Sequence, residues 1–286
     1  MEWERAKNFI LTAFILLNLG LAFLLHLENR RFALTGDRVS TINEVLANNN
    51  IHLYTSLIRR FPPMPHLDIS GHYYDIDLLL EIFFGDADFF RRETETGHYI
   101  FETEGGAFGR LEILNGFVTF DKRDALGENS LAEISRADAI GVSDEFIAEW
   151  FPDFVHDHIF DDFGGVRIIY RQEYRGRLIH SNYIDFFVTS RGVEWIEMQF
   201  GQIIGHSTGS RMIFAPDEVL LTFMQRVQHR AADTPYFISH IDIVYLQEYV
   251  SDERGSVYPA VPFYRIFVLD NDLEFLINAY TNTIIN

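Results

Sequence analysis

Cysteine is missing altogether from the 286 residues. That excludes a disulfide framework, a thiolate-bound zinc or iron–sulfur cluster and a thiol nucleophile. Lysine is nearly missing too: only Lys7 and Lys122 occur, and the remaining basic residues are arginines. Basic charge is scarce overall, with 23 Lys and Arg against 42 Asp and Glu, a formal charge of −19. Residues 1–31 hold Arg5, Lys7, Arg30 and Arg31 against Glu2, Glu4 and Glu28, a net of +1, so the rest of the chain carries −20. A body that acidic repels phosphate backbones and anionic headgroups, which disfavours nucleic acid and a basic membrane-docking patch.

Apolar and aromatic residues are plentiful. They include 27 Phe and 13 Tyr, and hydrophobic residues make up 48% of the chain. Burial of that many rings offsets chain entropy without cross-links, so wholesale disorder is excluded. The length suits two domains of about 100–150 residues behind a short anchor.

One long uncharged run stands at the N-terminus. Phe9–Leu25 is 17 residues without a charge, and His26 and Leu27 prolong it before Glu28. At about 1.5 Å per residue the run just crosses a hydrocarbon layer of about 30 Å. Trp3 stands where an interfacial aromatic would, and Arg5 and Lys7 at one end with Arg30 and Arg31 at the other make polar stops. The run is too long for a signal-peptide core and ends in His-Leu-Glu-Asn-Arg-Arg, not in a small-x-small cleavage site. An uncleaved helix over 9–27 behind a tail of residues 1–8 is expected. Flanking charges are nearly balanced, so charge alone leaves its orientation open. Ala6, Ala13 and Gly20 recur at seven-residue spacing, and Asn18 is a polar group within the run. Small residues permit close helix approach and a buried amide binds a partner helix, so Ala13, Asn18 and Gly20 are candidate contacts.

Beyond the anchor the pattern predicts helices at Ser40–Asn48, Asp75–Phe84, Ser143–Trp150 and Pro216–Gln228. Strands are expected at Ile51–Ile58, Tyr99–Thr103, Arg110–Leu114, Phe117–Asp121, Val166–Tyr174, Leu178–Val188, Val193–Phe200, Phe237–Val250, Pro262–Leu269 and Glu274–Tyr280. Phe61–Pro65 reads as a loop, Asn115-Gly116 as a hairpin turn, and Asp121–Ser130 as a polar divider. The class is therefore α+β: two lobes, 32–125 and 130–286, each an antiparallel sheet with helices on one face.

Three constellations invite a chemical reading. Gly205-His-Ser207-Thr-Gly209 matches the G-x-S-x-G of a nucleophile elbow, and Asp233 or Asp242 with His240 would supply the other triad members. The elbow needs a helix directly after the Ser, and none is signalled before Pro216, so a Gly-rich loop is expected. Asp153–Asp162 clusters His156 and His158 with carboxylates as metal ligands would be. A solvated acidic loop after Phe151-Pro152 is the expected state, so no metal site and no cofactor are assigned. Glu104–Gly109 is glycine-rich but lacks the Lys-Ser/Thr of a phosphate loop. The acids within Ile184–Val188 and Glu194–Met198 follow strand alternation, core and surface in turn.

The opening Met1-Glu-Trp-Glu-Arg-Ala-Lys7, the apolar helix containing Asn18, the run Pro259-Ala-Val-Pro-Phe-Tyr-Arg-Ile266, and Ile277-Asn-Ala-Tyr-Thr-Asn282 together resemble the YycI (WalI) family. Tyr264 stands where that family usually has Trp. The resemblance implies a YycH-like, PepSY-like fold and a non-enzymatic regulatory accessory of the WalK–WalR (YycG–YycF) two-component system, which controls cell-wall metabolism in Gram-positive bacteria. It implies a sensor histidine kinase and a YycH-like protein as partners, contacted partly through the transmembrane helix. It also implies a cytoplasmic N-terminus with the large domain outside the cell membrane, and no small-molecule substrate. Two alternatives stand beside it: a PepSY-like extracytoplasmic binding or inhibitor module, and a membrane-tethered hydrolase using Ser207.

Overall fold

The computed structural model describes residues 2–72, 74–95, 97–103, 109–114, 116–122, 134–231, 234–247, 256–269 and 273–285. It is a mixed α+β protein, rich in sheet, with an apolar helix at its N-terminus. The chain forms two compact units: Met1–Met64 with Ser210–Asp242 and Phe263–Asn286, and Pro65–Gly209 with Ile243–Pro262. Both units draw on each of the expected consecutive stretches, 32–125 and 130–286. The expected divider after Asp121 falls inside the second unit, and residues 123–130 lie outside the described residues.

The first unit opens with α1 (Glu2–Arg31) and α2 (Gly36–Ala47). Helix α2 begins four residues before the expected Ser40 because Thr35 caps it, its hydroxyl accepting from the Arg38 N–H at 3.4 Å. Strand β1 (Ile51–Leu53) is much shorter than expected and pairs in parallel with β12 (Tyr236–Gln247), Ile51 opposite Tyr236. The C-terminal half of β13 (Val257–Val268) runs antiparallel to β14 (Leu273–Asn278), which pairs β15 (Ile284–Ile285). Helix α5 (Pro216–Ala231) opens with proline and two acids, which suit the first turn's free N–H groups. Arg38 of α2 donates to both carboxylate oxygens of Asp217 at 2.7 Å, fixing α2 on that first turn. Leu46, Ile51, Val219, Phe223, Phe263 and Ile277 form its buried interior. Arg265 is also buried, bonded to Asp242 at 2.9 and 2.6 Å with its guanidinium 4.8 Å from the Phe267 ring centre.

The second unit holds β2 (Met64–His72), α3 (Ile76–Phe84) and a meander of β3 (Phe89–Glu95), β4 (His98–Thr103), β5 (Arg110–Leu114) and β6 (Phe117–Asp121). Helix α4 (Arg136–Trp150) follows, then β7 (Phe154–Asp162), β8 (Gly165–Tyr174), β9 (Arg177–Thr189), β10 (Gly192–Gln199) and β11 (Gly201–Arg211). Adjacent strands from β3 to β6 are antiparallel, β6 joins β10, and β10 and β8 flank β9. Strand β2 lies between β11 and the N-terminal half of β13. The sheet order is not wholly antiparallel as expected: besides β1, β12 pairs β9 in parallel at Tyr245 and Ile179.

Even-numbered β9 residues Ile184, Phe186 and Val188 face the core with Ile168, Tyr170, Ile196 and Met198. Helices α3 and α4 cover that core, Phe83 stacking on Phe120 at 4.6 Å and Phe146 meeting Phe186 edge-on at 5.4 Å. Asp75, expected as the first residue of this helix, is instead its cap, its carboxylate accepting from the Asp77 and Leu78 N–H groups at 3.1 and 3.3 Å. Helix α4 begins well before the expected Ser143, with Ser135 Oγ accepting from the Asp138 N–H at 3.1 Å. Ser143 is instead a buried mid-helix residue whose hydroxyl lies 2.8 Å from the Tyr170 hydroxyl. The expected Phe61–Pro65 loop gives way to β2 at Met64, and β3 carries no sequence signal strong enough to have been expected.

Candidate functional site

Ala6–Leu24 of α1 is 19 residues long, has a mean hydropathy of 1.8, and is not buried by any other described residue. Phe9, Leu16 and Phe23 are 75%, 64% and 62% exposed, which water does not tolerate over a whole helix but lipid does. Its polar groups are satisfied internally: Asn18 Nδ2 donates to the Phe14 carbonyl and Thr12 Oγ1 to the Asn8 carbonyl, both at 2.8 Å. That lowers the cost of placing them in hydrocarbon. At about 100° per residue Ala6, Ala13 and Gly20 share a stripe, while Asn18 sits roughly 140° round from Ala13. The candidate contact therefore splits over two helix faces. Nothing lies within 4 Å of a Cβ built at Gly20. Trp3 is 80% exposed, Lys7 is exposed, and Arg30 and Arg31 occupy the last turn. The Arg31 guanidinium lies 5.8 Å from the Phe32 ring centre. The Arg5 side chain lies outside the described residues.

The second unit presents a polar and aromatic sheet face opposite the one covered by α3 and α4. Cross-strand register aligns Arg167 with Phe187 and Trp195, and Ile169 with Asp185 and Glu197. Arg167 Nε donates to the Asp185 carboxylate at 2.8 and 2.9 Å, and its guanidinium lies 5.9 Å from the Trp195 ring centre. Tyr183 donates to Glu197 at 2.7 Å. Arg171 bonds Asp157 at 2.7 Å and also the His180 carbonyl. Burial raises the Asp185 carboxyl above the usual range against the opposing pull of Arg167, and Asp185 in turn holds Arg167 charged. At the rim, the β7–β8 turn carries Phe163, 97% exposed. A sheet face of half-buried aromatics with paired charges suits contact with another protein.

Sequence patterning missed this face because its acids were expected on the solvent side. Asp185 is 2% exposed, and so is Glu194, which sits in a β10 bulge and accepts from Thr189 at 2.6 Å and Arg191 at 2.8 Å. For Glu194 the arginine three positions earlier, Arg191, was the available signal; the partner of Asp185, Arg167, is 18 residues away and gave none.

The chemical candidates disperse. Gly205–Gly209 is not a loop: it lies within strand β11, which neighbours β2 in the sheet. Ser207 Oγ donates to the Gly209 carbonyl at 3.1 Å, and no helix follows until α5. Asp242 is occupied by Arg265, His240 lies 3.7 Å from Asp242, and Asp233 lies outside the described residues. Phe154–Asp162 is likewise a strand and not a solvated loop, since β8 pairs it along its length. A bulge between His156 and His158 sets them opposite Tyr170 and Ile169, hence on opposite faces. No group of three metal-ligating side chains occurs among the described residues. Residues 104–108 lie outside the described residues, so Glu104–Gly109 is described only at Gly109. A Cβ there would meet the Asp121 carbonyl at 2.7 Å.

No family model matches the chain, and no curated protein does. Among solved structures the chain is similar to an uncharacterized protein from Eubacterium rectale ATCC 33656, with a TM-score of 0.54 at 10% identity over 82% of this chain and 90% of that one. It also overlaps the C-terminal domain of Bacillus megaterium YpeB, with a TM-score of 0.42 at 10% identity over 75% of this chain and 96% of that one. Bacillus subtilis YycH overlaps with a TM-score of 0.45 at 11% identity over 76% of this chain and 54% of that one. The E. rectale likeness is one of fold, spread over most of both chains.

Proposed function

We propose that the protein is a non-enzymatic, membrane-anchored regulator of a sensor histidine kinase of the WalK (YycG) type, acting with a YycH-like partner in the control of cell-wall metabolism. The observation that carries the anchored part of this reading is α1, whose apolar side chains from Phe9 to Leu24 are covered by no other described residue. The resemblance of residues 1–7, 259–266 and 277–282 to the YycI family supports the choice of partner. In this reading the N-terminus is cytoplasmic, the acidic units lie outside, and Ala13, Gly20 and Asn18 meet partner helices in the bilayer. The test is a chain lacking residues 1–31, exported to the same side and compared with the full chain for kinase output. The output should change when the anchor is lost; unchanged output would sink the proposal.

The aromatic face around Arg167 and Trp195 favours a second reading, a PepSY-like extracytoplasmic module that binds or inhibits a protein without its anchor. That reading requires the exported, anchorless chain to retain full effect and Trp195→Ala to abolish it.

A further inference from the structure

Arg38, Arg136, Arg167, Arg171 and Arg265 are each tied to a carboxylate. Arg30, Arg31, Arg59 and Arg60 differ: all four are exposed, and no described carboxylate pairs with any of them. All four belong to the first unit. Arg30 and Arg31 close α1, and Arg59 comes 28 residues after Arg31 in the sequence. Folding brings the two pairs together. Ala33 and Arg60 form an antiparallel bridge, the Leu34 N–H donates to the Arg59 carbonyl at 2.8 Å, and the Phe61 N–H donates to the Phe32 carbonyl at 3.0 Å. The rings of Phe32 and Phe61 meet edge-on at 6.5 Å and brace the crossing.

We propose that these four arginines form a collar that binds anionic phospholipid headgroups in the leaflet where α1 leaves the bilayer, an inference that rests on the anchored part of the function proposed above. The place of the collar selects its occupant. At about 1.5 Å per residue, Arg30 and Arg31 stand roughly 5 Å past Leu27, and a headgroup layer is about 5–8 Å deep. Pairing with Ala33, two residues after Arg31, holds Arg60 at the same end of the helix. An exposed guanidinium at that depth reaches phosphate on its long stem and can bond two of its oxygens at once. Each such group near an anionic surface strengthens binding, and none of the four has a carboxylate to give up. The formal charge of −19 argues against a basic docking patch, as composition led us to expect. Tertiary pairing overrides that expectation locally. Glu28 and Asp37 are the acids beside these arginines in sequence, two against four, and acids beyond about 8–10 Å are screened at physiological salt.

The test uses the full chain reconstituted in vesicles of equal phosphatidylcholine and phosphatidylglycerol, then extracted in mild detergent, with the lipid that stays bound counted by mass spectrometry. Phosphatidylglycerol should be retained several-fold over phosphatidylcholine. Arg59→Gln with Arg60→Gln should cut that ratio several-fold, whereas Arg59→Lys with Arg60→Lys should keep most of it. Arg91→Gln with Arg92→Gln on β3 makes the same change in net charge and should leave the ratio as it was. Circular dichroism checks the fold of each variant. Equal retention of the two lipids by the unaltered chain overturns the proposal, and so does an equal loss from the β3 substitutions. Flotation with vesicles of phosphatidylcholine alone separates this inference from the reading beneath it. A chain that floats without preferring phosphatidylglycerol has an anchor and no collar, and one that fails to float overturns the anchor as well.

Discussion

At the scale of single residues, the Arg167–Asp185 pair is asymmetric. The Arg167 side chain is 45% exposed and that of Asp185 only 3%. Removing the carboxylate leaves a guanidinium that reaches water, whereas removing the arginine strands a carboxylate beneath Phe187 and Trp195. Arg167→Ala should therefore cost roughly 3 kcal/mol and Asp185→Asn about 1 kcal/mol, measured by urea unfolding at neutral pH. The first loss should shrink at low pH, where a carboxyl raised by burial takes a proton.

Two histidines give the opposite sign. Burial lowers His156 and His206 below the ordinary 6.5, so the unfolded chain takes their protons first as pH falls. Their contribution is complete above about pH 6.5 and is lost as pH drops through the lowered folded values. The unfolding midpoint should fall between about pH 7 and 5, and His156→Gln should flatten that slope. A third residue-scale expectation concerns Gln247, which is 4% exposed with both amide atoms unpartnered among the described residues. Replacing a buried, unsatisfied amide by an apolar side chain of similar size removes a desolvation cost. Gln247→Leu should stabilise the protein by about 1 kcal/mol in the same assay.

At the scale of elements, strand pairing and capping decide boundaries that periodicity leaves loose. Ser143 carries the sequence mark of a helix start, yet Ser135 caps the helix and Ser143 spends its hydroxyl on Tyr170. Ser135→Ala should cost about 1 kcal/mol of stability, as cap removal does. The β8–β9 turn was legible because Arg175 and Gly176 both take positive φ, 51° and 77°, the two-residue geometry that matches strand twist. Gly201 was not legible. A Cβ there would stand 2.3 Å from the Ser70 carbonyl, backbone against backbone, and only the packing of β2 on β11 creates that constraint. Gly201→Ala should lower the thermal midpoint by the equivalent of about 3 kcal/mol, as forced overpacking does.

At the scale of the whole molecule, a helix apolar and long enough to cross a membrane is joined to a strongly acidic body. The full chain should remain with membranes after an alkaline wash, and deletion of residues 1–31 should release it to the soluble fraction. Alternation and length were enough to place the apolar helix, the α+β class and most strands from Tyr99 to Gln199. Those strands are bounded by local turn chemistry. The composition of the two compact units was not available from the pattern, since Ser210–Asp242 and Phe263–Asn286 join Met1–Met64 across more than 140 residues. Nor was the sheet face built around Arg167. Its residues come from strands that meet only in register, and a buried acid next to an arginine reads from the sequence as a solvated one. The sequence by itself determined that residues 9–25 are apolar and long enough to cross a membrane and that the remainder buries a cysteine-free aromatic core, because hydropathy and period are properties of neighbours along the chain. Tertiary structure alone decided that Gly205–Gly209 and Phe154–Asp162 are strands and which acids are buried. Those outcomes depend on which distant backbone supplies the other half of each hydrogen bond.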